Sequence, residues 1–367
     1  MSALAIASVL VGLVLLVAGA ESLVRGSSRL ALVIGISPLL IGLTIVAYGT
    51  SAPELAVSVQ SGLSQRADIA LGNIIGSNIL NVLLILGLSA LISPLVVAQQ
   101  LVRLDVPIMV GVSLLPLVLG LDGSISHIDG GLLFAGGVAY TLFLIYQSQR
   151  EKNDAVQAEY EAEYGNRETV TTKTWVVNLG FVVAGFITLA VGSRLLVNGA
   201  VTIAEALNAS QLVIGLTIVA TGTSLPELAT SAIASLRGER DIAVGNVVGS
   251  NIFNILLVMG MAGLVTPAGV AVSLSAIRFD IPIMIAVAIA CLPIFATGNI
   301  VSRWEGGLFL GYYFAYTTYL ILDASRHQNL EVFNDILLMV VMPFTALMLL
   351  IATWRAISKR LSRSKKM

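Results

Sequence analysis

Cysteine is almost missing from this chain. Among 367 residues there is one, Cys291, set in an apolar run, so neither a disulfide framework nor a cysteine metal cluster can form. Histidine is as scarce: His127 and His327 both fall near expected loops, where a solvated side chain is the plain reading. Charge is scarce too, at 11% Asp, Glu, Lys and Arg, and the net balance is −1. No basic face or aromatic-basic patch stands outside the last dozen residues, which speaks against a nucleic-acid partner. So little charge already speaks against a soluble globular protein.

What fills the chain instead is hydrocarbon. Mean hydropathy is +0.93, and runs of about 20 apolar residues recur from end to end, as expected for helices that cross a bilayer. Eleven spans are predicted, at roughly 3–20, 33–62, 69–93, 104–121, 129–147, 174–193, 207–236, 242–266, 280–297, 304–322 and 334–354. The first run has no basic stretch before it and is followed by Glu21 and Arg25, which favours a retained helix over a cleaved signal. With the N-terminus outside, the inner segments carry sixteen of the twenty Lys and Arg residues, leaving Arg66, Arg194, Arg278 and Arg326 outside. This asymmetry puts the C-terminus in the cytoplasm. The compactness of the chain suggests a prokaryotic inner membrane.

Within this apolar background the chain repeats itself. Residues 41–81 read IGLTIVAYGTSAPELAVSVQSGLSQRADIALGNIIGSNILN, and residues 214–254 read IGLTIVATGTSLPELATSAIASLRGERDIAVGNVVGSNIFN. The offset is 173 residues without a gap, and 26 of the 41 pairs are identical. The repeat unit has five spans. Five is odd, so the second unit enters the membrane in the opposite sense to the first, the inverted arrangement of many secondary transporters. The fold expected is therefore all-α and polytopic: two inverted five-helix repeats forming a ten-helix core, plus one extra C-terminal transmembrane helix. Its parts are 1–147, a polar cytoplasmic linker at 148–173, 174–325, the additional helix at 326–354 and a basic tail at 355–367.

Each copy sets one carboxylate, Glu54 or Glu227, inside an apolar segment free of Lys and Arg. An ionisable group at bilayer depth is costly and marks an ion path by default. The preceding residues, Gly49-Thr50-Ser51-Ala52-Pro53 and Gly222-Thr223-Ser224-Leu225-Pro226, should break the helix, because proline removes a backbone donor and opposes the carbonyl four residues back. The break is expected to free carbonyls near Ala47 and Thr50, and near Ala220 and Thr223. Thr50 and Glu54 share a face if the helix resumes with little distortion. Carboxylate, carbonyl and hydroxyl oxygens together suit a hard cation such as Ca²⁺ or Na⁺.

The next span adds Asn73, Ser77 and Asn81 at i, i+4 and i+8, with copies Asn246, Ser250 and Asn254, a stripe able to line an aqueous path. Gly72 with Gly76, and Gly245 with Gly249, keep the small-xxx-small spacing of closely packed membrane helices. Asp68 and Asp241 stand where a carboxylate favours the start of a helix. No histidine or cysteine joins the set, which argues against zinc or copper.

The GTSxPE segments paired with GNxxGSNIxN segments resemble the two alpha repeats of the sodium/calcium exchanger branch of the cation/Ca²⁺ antiporter superfamily. The motifs cover about 80 residues, and the five-plus-five organisation matches over roughly 1–325. The resemblance implies exchange of cytoplasmic Ca²⁺ for external Na⁺ by alternating access, with no enzymatic activity and no cofactor. It implies Glu54 and Glu227 as the cation-binding carboxylates. It further implies oxygen ligands at Ala47, Thr50, Ser51 and Ser77 and at Ala220, Thr223, Ser224 and Ser250, and a sliding gate made of the first and sixth helices, about 3–25 and 174–200. Two features depart from the pattern. Many members carry an aspartate at the Asn254 position, and the eleventh span is extra. Two carboxylates balance one Ca²⁺ or two Na⁺, and a third Na⁺ would leave an uncompensated charge in a low-dielectric site.

The residues by themselves leave other readings open. A carboxylate in apolar surroundings could carry a proton, which gives an H⁺-coupled antiporter. A cation channel could use the same two groups as a filter, although two offset sites in one chain suit an occluding carrier better. A hydrolase using Ser51 or Ser224 would lack a base close in sequence.

Overall fold

The computed structural model describes residues 3–34, 36–64, 66–150, 172–206, 220–296 and 298–325, with isolated positions beyond. The additional helix expected at 326–354, the basic tail and His327 lie outside the described residues, as do most of the linker and residues 207–219 of the seventh expected span.

The described chain is almost entirely helical. Helix α1 (Ala3–Ile34) is followed by a broken span, Pro38–Thr50 (α2) and Ala52–Leu63 (α3), bent by 43°. Helix α4 starts at Ala67–Leu80 and continues through Asn81–Leu86 and Gly87–Ile92. Helix α5 joins Leu101–Asp105 to Val106–Leu119, and α6 is His127–Arg150. The second half follows the same order: α7 (Thr172–Ala206), the short α8 (Ala220–Gly222), α9 (Leu225–Arg237), α10 (Arg240–Phe253, then Asn254–Met259 and Gly260–Val265), α11 (Ala276–Asp280 with Ile281–Ala296) and α12 (Arg303–Ala324). Seven of these helices are long and apolar enough to cross a membrane, eight with the bent pair.

Burial sorts the helices into layers. In α4 and α10, 78% and 83% of the most apolar window is enclosed by protein, against 28% for α1 and 33% for α7. The two motif helices therefore form the centre. The long α1 and α7, like α6 and α11, are far less enclosed, and they present Leu4, Leu10, Val14, Val176 and Ile187 outward, a surface that only lipid can cover without cost. Each centre helix packs on the far half: α4 against α12, and α10 against α6.

The expectation of a purely helical chain needs one addition. Four two-residue strands pair off between distant connections: Leu95–Val96 (β1) with Ile300–Val301 (β4), and Ser124–Ile125 (β2) with Val270–Ala271 (β3). Each pair joins one half to the other and satisfies backbone groups that a chain reversal would otherwise leave unbonded. Within each half a tyrosine ties two helices together: buried Tyr140 donates to Asp105 and half-buried Tyr316 to Asp280, both at 3.1 Å.

Between α1 and α7 the seam is glycine. A Cβ on Gly192 would stand 2.9 Å from Leu16 N and 3.0 Å from Gly12 O, and one on Gly185 would stand 2.8 Å from Leu23 N. Gly12 lies against Leu196 while Gly26 lies against Asn178, so the two helices run in opposite directions. Ser8 and Ser22 bond across the seam to the carbonyls of Leu195 and Phe181 at 2.7 and 2.8 Å.

Candidate functional site

Both carboxylates are enclosed, Glu54 at 0% and Glu227 at 1% exposure. The broken helices carry them there. Ser51 sits at the bend with ψ near 8°, ending α2 and opening α3, and Ser224 does the same before α9. Pro53 and Pro226 fall in the first turn of the resumed helix, where a missing N–H costs nothing. Each break thus puts a hydroxyl and a helix N-terminus, favourable for negative charge, beside a buried carboxylate.

The hydroxyls serve the opposite half. Ser51 Oγ donates to Glu227 Oε1 at 2.7 Å, and Ser224 Oγ donates to Glu54 Oε1 at 2.8 Å and lies 3.1 Å from Ser77 Oγ. Thr50 likewise faces Glu227, and Thr223 and Ser77 face Glu54. The condition for Thr50 and Glu54 to share a face, a helix resuming with little distortion, is not met: the chain bends by 43° between them, and Thr50 bonds to Asn246 at 3.2 Å. A second correction concerns Ala47. Its carbonyl is not released by the break, for it accepts from Ser51 N at 3.1 Å and from Thr50 Oγ1 at 3.4 Å. Ala220 opens the short α8.

Asn73 and Asn246 brace the arrangement. Asn73 Nδ2 donates to Glu54 O at 3.2 Å and Ser58 Oγ at 3.0 Å, while its Oδ1 accepts from Thr223 at 3.2 Å. Asn246 repeats this with Glu227 O, Ser231 Oγ and Thr50, at 3.5, 3.0 and 3.2 Å. Further along the stripe Asn81 and Asn254 are buried, and their amide nitrogens reach Asn251 Oδ1 and Asn78 Oδ1 at 3.0 and 3.1 Å.

Five buried oxygens in this region have no hydrogen-bond partner among the described residues: Glu54 Oε2, Glu227 Oε2, Asn81 Oδ1, Asn254 Oδ1 and Ser250 Oγ. Four of them can only accept when the carboxylates are ionised. Buried acceptors without donors are expensive, and two buried like charges that interact electrostatically are more so. A hard cation relieves both costs at once. Among the described residues no group of three or more His, Cys, Asp and Glu side chains converges.

This donor set sits on a fold with close known likenesses. The family model described as "Sodium/calcium exchanger protein" matches residues 4–147 and 177–322. The chain belongs to the sodium/calcium exchanger family. It is 33% identical over 343 residues to the sodium/calcium exchanger MaX1 of Methanosarcina acetivorans, covering 85% of this chain and 97% of that one. It is 40% identical over 267 residues to the inner membrane protein YrbG of Escherichia coli K12, covering 72% and 81%. A solved structure of the sodium-calcium exchanger NCX_Mj soaked with Na⁺ and Sr²⁺ superposes with a TM-score of 0.74 at 32% identity, covering 87% of this chain and 99% of that one. This antiporter is accordingly an integral membrane protein of the cation/Ca²⁺ exchanger type.

In this family chain the remaining sequence readings fall out unevenly. Gly245 and Gly249 seat α10 against α2, with Cβ positions 2.9 Å from Leu39 O and 2.7 Å from Leu43 O. Gly72 and Gly76 face no described atom within 4 Å, and their counterpart segment falls within 207–219, outside the described residues. Asp241 lies in the first turn of α10 as expected, whereas the Asp68 side chain is outside the described residues. His127 is exposed at the head of α6, and Cys291 is buried in α11. Asn78 and Asn251 escaped the sequence reading because it followed the i, i+4 stripe. Their signal was identity between the two copies one residue past Ser77 and Ser250.

Proposed function

We propose that this antiporter moves Ca²⁺ against Na⁺ by alternating access, with Glu54 and Glu227 forming one shared site for which the two cations compete. The observation that carries the reading is the crossed pair of serine–glutamate bonds, which draws one carboxylate from each half to a common centre lined by partnerless oxygens. Competition for one site produces exchange, because only an occupied site can be carried between the two membrane faces. The ligand set comprises Glu54, Glu227, Thr50, Thr223, Ser51, Ser224, Ser77, Ser250, Asn81 and Asn254. Ala220 contributes through its backbone alone, and the bonded Ala47 carbonyl is left out of the set. No cofactor and no enzymatic step enter the cycle.

The architecture proposed is a ten-helix inverted repeat with an added C-terminal helix, the N-terminus outside and the C-terminus cytoplasmic. The antiparallel course of α1 and α7, equivalent helices of the two halves, supports it. The same two helices form the gate. The glycine seam lets them move together, and α7 touches both breaks: Gly49 lies against the Phe186 ring, and Ser193 Oγ donates to Gly222 O at 2.6 Å.

Uptake of ⁴⁵Ca²⁺ into Na⁺-loaded proteoliposomes tests the reading. Uptake is expected to collapse with the Na⁺ gradient and to vanish in Glu54→Gln and in Glu227→Gln. Uptake driven by a pH gradient in the absence of Na⁺ would replace Na⁺ by H⁺ as the coupling ion, and unitary currents would replace the carrier by a channel.

A further inference from the structure

Four asparagines meet where α4 and α10 cross, and only the outer two belong to the ligand set above. Asn78 Nδ2 donates to Asn251 O at 3.3 Å and to Met284 Sδ at 3.6 Å. Asn251 Nδ2 donates to Asn78 O at 3.4 Å and to Met109 Sδ at 3.6 Å. A carbonyl oxygen and a thioether can only accept, so these contacts fix which end of each inner amide is nitrogen. With both N–H bonds committed, the inner Oδ1 atoms face outward as acceptors. Each must be met by a nitrogen, and each is: Asn81 Nδ2 meets Asn251 Oδ1, and Asn254 Nδ2 meets Asn78 Oδ1.

The chain of bonds determines the outer amides in turn. Their nitrogens are held toward the opposite helix, so their oxygens must point the other way, and both oxygens are buried without a protein partner. Asn81 lies one turn beyond Ser77 on α4, as Asn254 does beyond Ser250 on α10, so each shares its serine's face. Local geometry favours the network, since both helices widen into π-turns beginning at Asn81 and Asn254. Such widening loosens the backbone ladder, and it recurs at functional sites.

We infer that Asn78 and Asn251 are positioning residues that lock the Asn81 and Asn254 amides with oxygen, not N–H, toward the cation. The lock is crossed: Asn251 controls Asn81, and Asn78 controls Asn254. A freely rotating amide would spend part of its time offering a donor to a positive ion. The clamp removes that state and makes this end of the site acceptor-only. The inference rests on the shared cation site proposed above.

Calorimetric titration of the full-length purified protein with Ca²⁺ tests it through double-mutant cycles. Asn251→Ala and Asn81→Ala are each expected to weaken Ca²⁺ binding roughly tenfold, and the double variant to be no weaker than about the worse single one. Asn251→Ala combined with Asn254→Ala should instead multiply the two losses, and Asn78→Ala should show the mirror-image pattern. General structural damage would not select crossed partners, so multiplicative losses in the crossed pairs overturn the clamp. Solid-state NMR of ¹³C,¹⁵N-asparagine-labelled unaltered protein in bilayers provides a reading that needs no variant to fold. Ca²⁺ should shift the side-chain carbonyl carbons of Asn81 and Asn254 and leave those of Asn78 and Asn251 in place. Unmoved outer carbonyls overturn the inference. Failure of the unaltered protein to bind Ca²⁺ at all would instead defeat the site itself, and the clamp with it.

Discussion

Ser51, in the first half of the chain, donates its hydroxyl to Glu227 in the second at 2.7 Å. Ser224 returns the bond to Glu54 at 2.8 Å. Neither repeat completes its own carboxylate, so the site exists only when both halves are assembled. A hydrogen bond to a charged group contributes about 1.5–3 kcal/mol.

Serine deletion should therefore act reciprocally. Ser51→Ala and Ser224→Ala are each expected to raise the KM for Ca²⁺ by roughly tenfold or more, from loss of one charge-assisted bond. The two effects should be of similar size, read from initial rates of ⁴⁵Ca²⁺ uptake. An effect confined to one serine would contradict a site drawn equally from both halves.

Charge balance sets the electrical behaviour of the cycle. In the proposed cycle one Ca²⁺ or two Na⁺ would balance the two site carboxylates, so exchange is expected to carry little net charge. Transport currents on a solid-supported membrane should be small, and Ca²⁺ uptake should be nearly indifferent to membrane potential. Asn254→Asp adds a third carboxylate at a buried position and should make the cycle voltage-sensitive.

The glycine seam separates binding from movement. A leucine at Gly192 would drive its Cβ into Leu16 N and Gly12 O at about 3 Å, prying α1 from α7. Gly192→Leu should abolish uptake while Ca²⁺ binding to the purified protein persists. On the same helix, Gly180 faces no described atom within 4 Å, so Gly180→Ala should transport normally.

Two polar contacts hold α1 to the turn between α9 and α10. Glu21 pairs with Arg237, and Ser28 Oγ donates to Glu239 at 2.5 Å. The ion pair is solvent-exposed, worth about 1 kcal/mol at most and weakened by salt. Arg237→Glu should change the transport rate by no more than about fivefold, and Glu21→Arg in the same chain should restore it. Labelling of a cysteine introduced in place of Val14 on α1 should rise in the single variant.

The broken helices were legible because proline, glycine and hydroxyl residues act on the backbone locally. The burial of Glu54 and Glu227 was legible because no charge partner stands near either one in sequence. The crossing was not. Spacing along a helix relates Thr50 to Glu54 but cannot show that Thr50 also reaches Asn246 and Glu227 of the other half. The Ala47 carbonyl stays bonded because the helical ladder runs on to the bend, where Ser51 N takes that oxygen. Strand pairs of two residues, such as Leu95–Val96 with Ile300–Val301, are too short to leave a periodic signal.

The sequence by itself determined that this protein lives in a membrane, that it is built from a doubled unit, and that each unit commits one carboxylate to a cost only an ion can relieve. Hydropathy and helix-breaking are local properties, written wherever the residues stand. The tertiary structure decided which hydroxyl serves which carboxylate and which way the buried amides face. Those choices depend on how two distant segments cross, and contact between residues some 170 positions apart is set by packing rather than by any local pattern.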